Sequence, residues 1–469
     1  MMEHGQYVNP GNSGFRRILN SEYIDKTGLI DLMNKRISSP EALVCISRPR
    51  RFGKSFAAQM LCAYYDSSCD SYELFDGMKI SKTADYERYI NQYNVICLDV
   101  TAFISTAKRL KKPISDVPDM IVEAIRKDLA EMFPYLDGES TLTDCLLRCA
   151  DTEQQPFVFI IDEWDAIIRE AKDDPATKEI YLNLLREWFK NISFTPKVVA
   201  AAYMTGILPI KKDGSQSAIS DFIEYPILYP DGFAEYTGFT ETEVMRLCHQ
   251  HSLDFNEFKT WYDGYEFAGF GSIYNPYSVM RAIRDSKCRS YWQKTSAAES
   301  LFTYINMDFN GLRETVARLI SGESVEVDVN GFENDLETFH SSDDVLTLLI
   351  HLGYLTYHED DRTVRIPNEE VRREFHQILK GNGVSEKWVE LPSGRGLADL
   401  VYIPEKNSPL PGMVIELKWD ESAEGAIKQI KDRKYPAILQ QYVGELLLFG
   451  IAYDPKSKEH TCHIENFRR

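Results

Sequence analysis

The chain has 469 residues and a net charge of −19; 43% of its residues are hydrophobic and 12% are aromatic. This length predicts about three domains, and the apolar and aromatic content excludes a disordered chain. The acidic balance argues against nucleic-acid binding over the whole surface, and the short apolar runs argue against a membrane partner. We therefore expect a soluble, cytoplasmic protein.

The first informative stretch is ISRPRRFGKSFAAQML, residues 46–61. An apolar strand end is followed by a basic loop, and Gly53 then leads into a helix that begins near Lys54. A loop of this kind places backbone N–H groups and the positive end of a helix against phosphate oxygens. Lys54 would reach the β- and γ-phosphates of ATP, and the Ser55 hydroxyl would bind Mg²⁺.

The basic residues of this loop are less easily interpreted. Arg48 stands where the P-loop pattern GxxxxGK[ST] has its first glycine. We expect Arg50 and Arg51 to contact phosphates from within the same chain. Because the bare GKS tripeptide also occurs by chance, the prediction depends on a second motif.

That second motif is FVFIIDEWD, residues 157–165. Its run of apolar residues is typical of a strand buried on both faces of a parallel sheet. Asp162 would hold Mg²⁺ through water, and Glu163 would polarise the attacking water. The alternative is a strand followed by an acidic helix cap. Together with the upstream GKS, the motif predicts nucleotide binding.

The surrounding elements alternate between strand and helix. NVICLDV (94–100) predicts a second buried strand, and YLNLLREWFKNI (181–192) has the apolar spacing of a helix. A further strand over 197–210 carries Thr205, which is either a polar sensor of the γ-phosphate or simply a residue that suits a strand. This alternation predicts an α/β fold: a P-loop NTPase parallel sheet with helices on both faces.

Residues 232–380 have a different pattern. A Thr-x-x-Glu capping box from Thr240 to Glu243 opens a helix, and several short helices follow. Residues 345–375 predict a helix, a β-hairpin that turns at Asp360-Asp361, and another helix. We interpret this region as a helical lid with a winged-helix-like part.

The tail contains a third motif. Residues 386–469 hold 12 Lys and Arg against 13 Asp and Glu, so the acidic excess lies in front of them. ADLVYI and GMVIELKW predict neighbouring strands, which carry Asp399, Glu416 and Lys418. Asp399 and Glu416, with the Leu417 carbonyl, would bind a metal ion, and Lys418 would orient the water that attacks a phosphodiester. The following helix would place Gln429 alongside. The alternative is a surface hairpin with solvated charges.

The chain resembles a bacterial AAA-ATPase-like family with a C-terminal PD-(D/E)XK nuclease-like domain. The resemblance covers nearly the whole chain and implies a P-loop fold, a helical lid and a small restriction-endonuclease-like α/β domain at the end. It rests on these strings: YIDKTGLI (23–30), RPRRFGKS (48–55), FIIDEWD (159–165), TGI (205–207), WYDGY (261–265), YNPYS (274–278), IPNEEVR (366–372), and ELPSGRGLADLVYIP with VIELKW.

In one place the chain departs from that family. Only residues 376–389 lie between IPNEEVRREF and ELPSGRG, where the resemblance implies a longer helical stretch that includes the first helix of the nuclease core. We therefore predict three regions: an ATPase domain over 1–231, the lid over 232–380 and a shortened nuclease-like domain over 381–469.

Two functions remain open. In the first, ATP turnover controls Mg²⁺-dependent cleavage of DNA or RNA by the tail. In the second, the protein is a nucleotide-dependent switch whose tail binds a partner without cutting. The sequence leaves open whether the chain forms an oligomer.

Overall fold

The structure is a computed structural model. It describes residues 5–136, 141–210, 219–267, 269–292, 312–320, 322–332, 339–381, 391–393, 396–398, 400–402, 412–419, 422–432, 446–454 and 459–467. The chain divides into two compact units, one that extends to Arg372 and one that runs from Arg373 onward. No helix in these described ranges is long and apolar enough to cross a membrane.

The first unit is built on a five-stranded parallel sheet. The strands are β1 Leu43–Ser47, β2 Asn94–Asp99, β3 Phe157–Asp162, β4 Val199–Gly206 and β5 Ile223–Tyr225. Their order in the sheet is β2-β3-β4-β1-β5, so β4 lies between β1 and β3. The α/β prediction with a parallel sheet is therefore confirmed for this unit.

Helices cover both faces of this sheet. They are α1 Ser13–Leu19, α2 Gly28–Asn34, α3 Lys54–Tyr65, α4 Tyr72–Phe75, α5 Tyr86–Tyr89, α6 Val100–Leu110, α7 Val117–Met132, α8 Leu142–Glu153, α9 Ala166–Glu170, α10 Pro175–Phe189 and α11 Thr195–Val198. Short 3₁₀ turns lie at Ile80–Lys82, Ile114–Asp116 and Asp231–Tyr236.

The alternation of side chains along β3 explains why both faces are covered. Phe157 and Phe159 are fully buried and pack in the cluster formed with α6, α7, α8 and α10. Val158 and Ile160 are equally buried but point into the opposite cluster, with α1, α2 and α3. Successive side chains of a strand point to opposite faces, so a strand that is buried on both faces must be apolar at every position. The apolar run before Asp162 meets that requirement.

The rest of the first unit consists of smaller elements. They are β6 Phe239–Thr240, α12 Glu241–Gln250, α13 Phe255–Tyr262, β7 Tyr265–Phe267, β8 Gly271–Tyr274, α14 Pro276–Asp285, α15 Leu312–Ile320, β9 Val325–Glu326, α16 Ser342–Leu352, β10 Thr356–His358 and β11 Thr363–Arg365. Helix α17, Glu369–Gly381, follows.

Two local predictions for this region are confirmed. Thr240 and Glu243 form a capping box at the start of α12, with each side chain bonded to the other residue's backbone N–H. Strands β10 and β11 pair antiparallel on either side of the turn that holds Asp360 and Asp361, and helices flank the hairpin. Both features arise from short-range chemistry, which is why the sequence indicates them.

The second unit contains a mixed four-stranded sheet. The described elements are β12 Leu391–Ser393, β13 Gly396–Ala398, β14 Leu400–Tyr402, β15 Gly412–Trp419, α18 Ala423–Asp432, β16 Leu446–Asp454 and β17 Glu459–Phe467. The strand order in the sheet is β14-β15-β16-β17; β15 runs antiparallel to β14 and parallel to β16, and β16 runs antiparallel to β17. The predicted pairing of ADLVYI with GMVIELKW is confirmed over the described residues.

Candidate functional site

The predicted phosphate loop joins β1 to α3. Gly53 precedes the first residue of α3 and has a φ of 86°, in the left-handed region that favours glycine. A Cβ atom at Gly53 would meet no atom within 4 Å, so the backbone conformation, and not crowding, is what requires glycine here. The first N–H groups of a helix have no partner within the helix, and here no side chain at the N-cap bonds to them. The predicted anion site therefore has its backbone donors in place.

Lys54 links this loop to the acidic end of β3. Its Nζ atom donates to the carbonyl oxygens of Arg48 and Pro49, both at 3.0 Å. The same atom lies 3.4 Å from Glu163 Oε1, and only 4% of the side chain is exposed. Ser55, the next residue of α3, is exposed. The structure therefore brings together two predicted residues that are more than one hundred positions apart in the chain.

Thr205 on β4 completes the acidic end. Its hydroxyl donates to Asp162 Oδ1, and both side chains are buried. The hydroxyl also accepts a hydrogen bond from the Glu163 backbone N–H at 3.4 Å. Because β4 lies between β1 and β3 in the sheet, Thr205 is adjacent to both predicted motifs. In this structure its direct partner is therefore the Asp162 carboxylate.

The Glu163 carboxylate is bound on its other side by a residue that the sequence did not indicate. Arg169, on α9, donates from Nη2 to Glu163 Oε2 at 2.6 Å. Glu163 itself has a φ of 54°, a left-handed conformation that is uncommon for a residue with a side chain. The only sequence signal was the spacing of Asp165 and Arg169, four positions apart, which allows an ion pair on one helical face.

Asp165 holds Arg169 in turn. The Arg169 Nε atom lies 3.0 Å from Asp165 Oδ2, and that oxygen also accepts the backbone N–H groups of Ile207 and Leu208 at 3.1 and 3.0 Å. Only 1% of Asp165 is exposed. Burial lowers the pKa of Arg169, but the carboxylates of Asp165 and Glu163 outweigh it, so the pKa of Arg169 is raised and the guanidinium stays charged.

Gly206, after Thr205, makes room for this arrangement. A Cβ atom there would lie 2.8 Å from Trp164 Nε1 and 3.0 Å from Asp165 Oδ1, and real Cβ atoms do not come this close to Nε1. The glycine of the TGI string therefore allows the chain after β4 to approach the acidic turn.

Arg48 is fully buried beneath the loop. Its Nη1 atom donates to the carbonyl oxygens of Ser47 and Tyr225, at 2.9 and 2.6 Å. The guanidinium carbon lies 5.3 Å from the centre of the Phe267 ring. Burial lowers the pKa of Arg48 to about 10. The residue that replaces the first P-loop glycine thus joins the loop to β5 and β7.

The other loop residues contact the region after β6. Arg51 Nη1 donates to the Tyr291 carbonyl at 2.7 Å, and its guanidinium lies 4.5 Å from the centre of the Tyr277 ring. The Phe52 ring meets the Tyr265 ring edge-on at 5.1 Å. We call these contacts between residues 50–52 and residues 265–291 the clasp. Asn275 adds a 3.4 Å hydrogen bond to the Arg50 carbonyl.

Glu370, near the start of α17, supports the clasp. Its Oε1 atom accepts the Tyr291 backbone N–H at 2.7 Å, and 1% of the residue is exposed. Burial raises the pKa of Glu370 to about 7, although hydrogen bonds and Arg51 oppose the shift. The strings WYDGY, YNPYS and IPNEEVR, which are far apart in sequence, therefore meet behind the phosphate loop.

The second unit contains part of the predicted tail site. Glu416 on β15 is 2% exposed and accepts a hydrogen bond from Gln429 Nε2 on α18. Lys418 Nζ lies 3.7 Å from Glu416 Oε1. Asp399 lies outside the described residues. Within the described part of the chain, no group of three or more His, Cys, Asp and Glu residues is placed to hold a metal ion.

The first unit contains a sequence signature that agrees with this geometry. Residues 11–215 match the family described as Predicted AAA-ATPase. This region of the chain is AAA-ATPase-like.

A curated relative covers more of the chain. The "Uncharacterized protein in vnfD 5′region" of Azotobacter chroococcum mcd 1 is 21% identical over 368 residues, which is 76% of this chain. The aligned part spans 66% of that relative.

Solved structures show only a slight likeness. The ORC2 protein of Aeropyrum pernix, in ADPNP–ADP complexes, has a TM-score of 0.36 and 11% identity, over 78% of this chain and 98% of that one. Cdc6p of Pyrobaculum aerophilum has a TM-score of 0.26 and 9% identity, over 76% and 93%. AMPPCP-bound DnaA of Aquifex aeolicus has a TM-score of 0.24 and 10% identity, over 50% and 56%.

Proposed function

We propose that the first unit binds ATP with Mg²⁺ at the phosphate loop and hydrolyses it. The observation that carries the proposal is the meeting of Lys54 Nζ with the Glu163 carboxylate, at 3.4 Å, beside the N-terminus of α3. A lysine ammonium, helix N–H donors and a carboxylate at one edge of the sheet are the groups that phosphate binding and water activation need, which supports the proposal. The AAA-ATPase family match over residues 11–215 supports it.

The donor set suits magnesium. Ser55 offers an exposed hydroxyl, and Asp162 offers a carboxylate whose orientation is fixed by Thr205. Hydroxyl and carboxylate oxygens are the ligands that Mg²⁺ takes in nucleotide sites, where it keeps several waters and shares the phosphates. When bound, the ion would neutralise charge that develops on the phosphates. We propose Ser55 and Asp162 as the residues that hold it.

The other residues have separate proposed roles. Gly53 and Lys54 bind phosphate, and Arg50 and Arg51 add positive charge to the same loop. Thr205 orients Asp162, and we propose it as the polar sensor of the γ-phosphate. Glu163 polarises the attacking water, for which a carboxylate within reach of one water molecule is sufficient.

The test is ATP binding and turnover by the wild type and by Glu163→Gln. The substitution keeps the side-chain size but removes the charge, so turnover should fall about 100-fold while the Kd for ATP changes little. A variant that turns over ATP at the wild-type rate would remove Glu163 from this role. Failure of the wild type to bind ATP would refute the proposal as a whole.

A second proposed activity concerns the tail. Glu416 contacts Lys418 on β15 and Gln429 on α18, which supports a site of the PD-(D/E)XK nuclease type. We propose that Asp399 and Glu416 bind Mg²⁺ and that Lys418 activates water for cleavage of DNA or RNA. The alternative is a nucleotide-dependent switch whose tail binds nucleic acid or another partner without cutting it.

These two readings of the tail are separated by one assay. Single- and double-stranded DNA and RNA are incubated with Mg²⁺ or Mn²⁺, with and without ATP, and wild type is compared with Lys418→Ala. Cleavage that is lost in the variant supports the nuclease, and dependence on ATP would link it to the first unit. If the wild type leaves every substrate intact, the non-cutting switch is favoured.

A further inference from the structure

The Glu163 carboxylate is engaged at both oxygens. Oε1 lies 3.4 Å from Lys54 Nζ, and Oε2 lies 2.6 Å from Arg169 Nη2. The second contact is shorter, and it comes from a residue that has no place in the phosphate loop. Lys54 also has to serve phosphate under the proposed function, so it is not a dedicated partner for Glu163. Arg169 is the partner of Glu163 that has no role in substrate binding under the proposed function.

Arg169 is itself held in place. Its Nε and Nη2 atoms lie 3.0 and 3.4 Å from the two carboxylate oxygens of Asp165. The side chain is 16% exposed, so solvent screens these contacts less than it would on the surface. A planar guanidinium bound on two edges has little freedom to turn.

The Asp165 side chain is anchored by backbone N–H groups. Asp165 Oδ2 accepts N–H groups from Ile207 and Leu208, in the chain that leaves β4. A continuous series of contacts therefore runs from the end of β4 through Asp165 and Arg169 to Glu163. This series of contacts connects the Glu163 side chain to the rigid sheet and restricts rotation about its three side-chain bonds.

Orientation matters for the proposed role of Glu163. A group that polarises water has to be held within about 0.5 Å and 10–20° of its productive geometry. Its left-handed backbone places Glu163 in a turn after β3 and not within the strand, so the strand alone does not fix its carboxylate. The contact with Arg169 provides that restraint.

We propose that Arg169 is a positioning residue for Glu163: through Asp165 it ties the water-polarising carboxylate to the end of β4. The inference rests on the proposed ATP hydrolysis. Arg169 touches neither nucleotide nor water in this scheme, so its loss should lower kcat without weakening ATP binding.

The experiment is a double-mutant cycle with Arg169→Ala and Glu163→Gln, measured as kcat for ATP hydrolysis and as Kd for ATP. Alone, Arg169→Ala should lower kcat about 10- to 100-fold and leave the Kd within about threefold. In the Glu163→Gln background it should lower kcat by less than about twofold, because the group that it positions has already been lost.

Two further variants make the result specific. Arg169→Lys keeps the charge but cannot bind both carboxylates in the same fork, so its kcat should lie between those of the wild type and Arg169→Ala. Lys108→Ala removes a cation from the exposed pair with Glu170, the neighbour of Arg169 on α9, and should leave kcat unchanged.

Three results would overturn this inference and leave the proposed ATPase standing. A wild-type kcat in Arg169→Ala would show that Glu163 needs no such restraint. An equal loss in both backgrounds would show that Arg169 acts independently of Glu163. If Arg169→Ala does not fold, the soluble Arg169→Lys variant decides, and a wild-type kcat there counts against the inference. A wild type that hydrolyses no more ATP than Lys54→Ala would instead overturn the proposed ATPase, and this inference with it.

Discussion

The two units each place a lysine beside a glutamate, but they support the pair differently. In the first unit, Glu163 is bound by Lys54 and by Arg169, and Arg169 is anchored through Asp165 to backbone N–H groups. In the second unit, the described partners of Glu416 include Lys418 from the same strand and Gln429 from α18. Both pairs join a lysine to a glutamate, but Lys54 and Glu163 follow two different strands of the sheet and belong to a continuous network of contacts.

A shared residue pattern therefore does not establish a shared degree of organisation. Lys54 and Glu163 meet because two non-adjacent parallel strands end at the same edge of a sheet. Glu416 and Lys418 meet because residues two apart on a strand share a face. The first arrangement requires the fold, whereas any strand with the ExK spacing provides the second.

Removal of each lysine in turn is expected to give the largest difference between the two units. Lys54→Ala should lower ATP turnover about 100-fold or more, because the loop loses its proposed phosphate cation. Lys418→Ala should leave that turnover unchanged and thus serves as its matched control. The measurement is steady-state phosphate release at saturating ATP. Equal losses in the two variants would contradict the assignment of turnover to the first unit.

The supporting networks can be compared by hydrogen exchange, which reports the local stability of each unit separately. Asp165→Ala removes an acceptor for two backbone N–H groups and leaves Arg169 without that carboxylate. It should lower the opening free energy of amides in β3 and β4 by about 3 kcal/mol. Gln429→Ala removes one donor to Glu416 and should cost about 1 kcal/mol at β15. A larger loss of stability in Gln429→Ala than in Asp165→Ala would mean that the contacts around Glu416 stabilise their unit more than those around Glu163.

A third carboxylate, that of Glu370, makes the stability of the first unit depend on pH. Glu370 accepts the Tyr291 N–H in a buried place, and burial raises its pKa to about 7 from the ordinary value of 4.5. A raised carboxyl pKa means that ionisation favours the unfolded state. The stability is therefore fully present below about pH 4.5 and is lost as the pH rises through 7.

The measurement is the unfolding free energy of the wild type relative to Glu370→Gln at pH 5 and at pH 8. Glutamine retains the acceptor oxygen but does not titrate. Relative to this variant, the wild type should lose about 2 kcal/mol between the two pH values. A difference that is independent of pH would show that Glu370 does not titrate in this window, and a difference of the opposite sign would mean that its pKa is lowered.

The sequence predicted the parts of the fold whose causes are local or periodic. The apolar run before Asp162 requires a strand covered on both faces, and the Thr240 capping box needs only four residues. These two features depend on pattern alone, so one sequence is sufficient for them. The sequence also places Lys54 and Glu163 after strands, but their contact depends on the sheet that brings those strand ends together.

The rest depended on contacts that no local pattern encodes. Arg169 lies on a short helix, and its sequence context does not distinguish it from an ordinary solvent-exposed arginine. Arg51 meets the Tyr291 carbonyl across 240 positions, so its phosphate role remains a prediction beside an observed contact with the clasp. The contact of the buried Arg48 guanidinium with the Phe267 ring likewise depends on the tertiary fold. The predicted roles of Asp399 and the boundaries at 231 and 380 also stay predictions.

The clasp and the contact of Arg48 with the Tyr225 carbonyl limit where the chain can be divided. The family signature ends at residue 215, yet Arg48 is bonded to the Tyr225 carbonyl and Phe52 is buried against Tyr265. A fragment cut at the end of the signature would uncover an aromatic ring and deprive a buried guanidinium of an acceptor, both of which promote aggregation and loss of structure. The segment that matches the family model is therefore shorter than the segment that these contacts hold together.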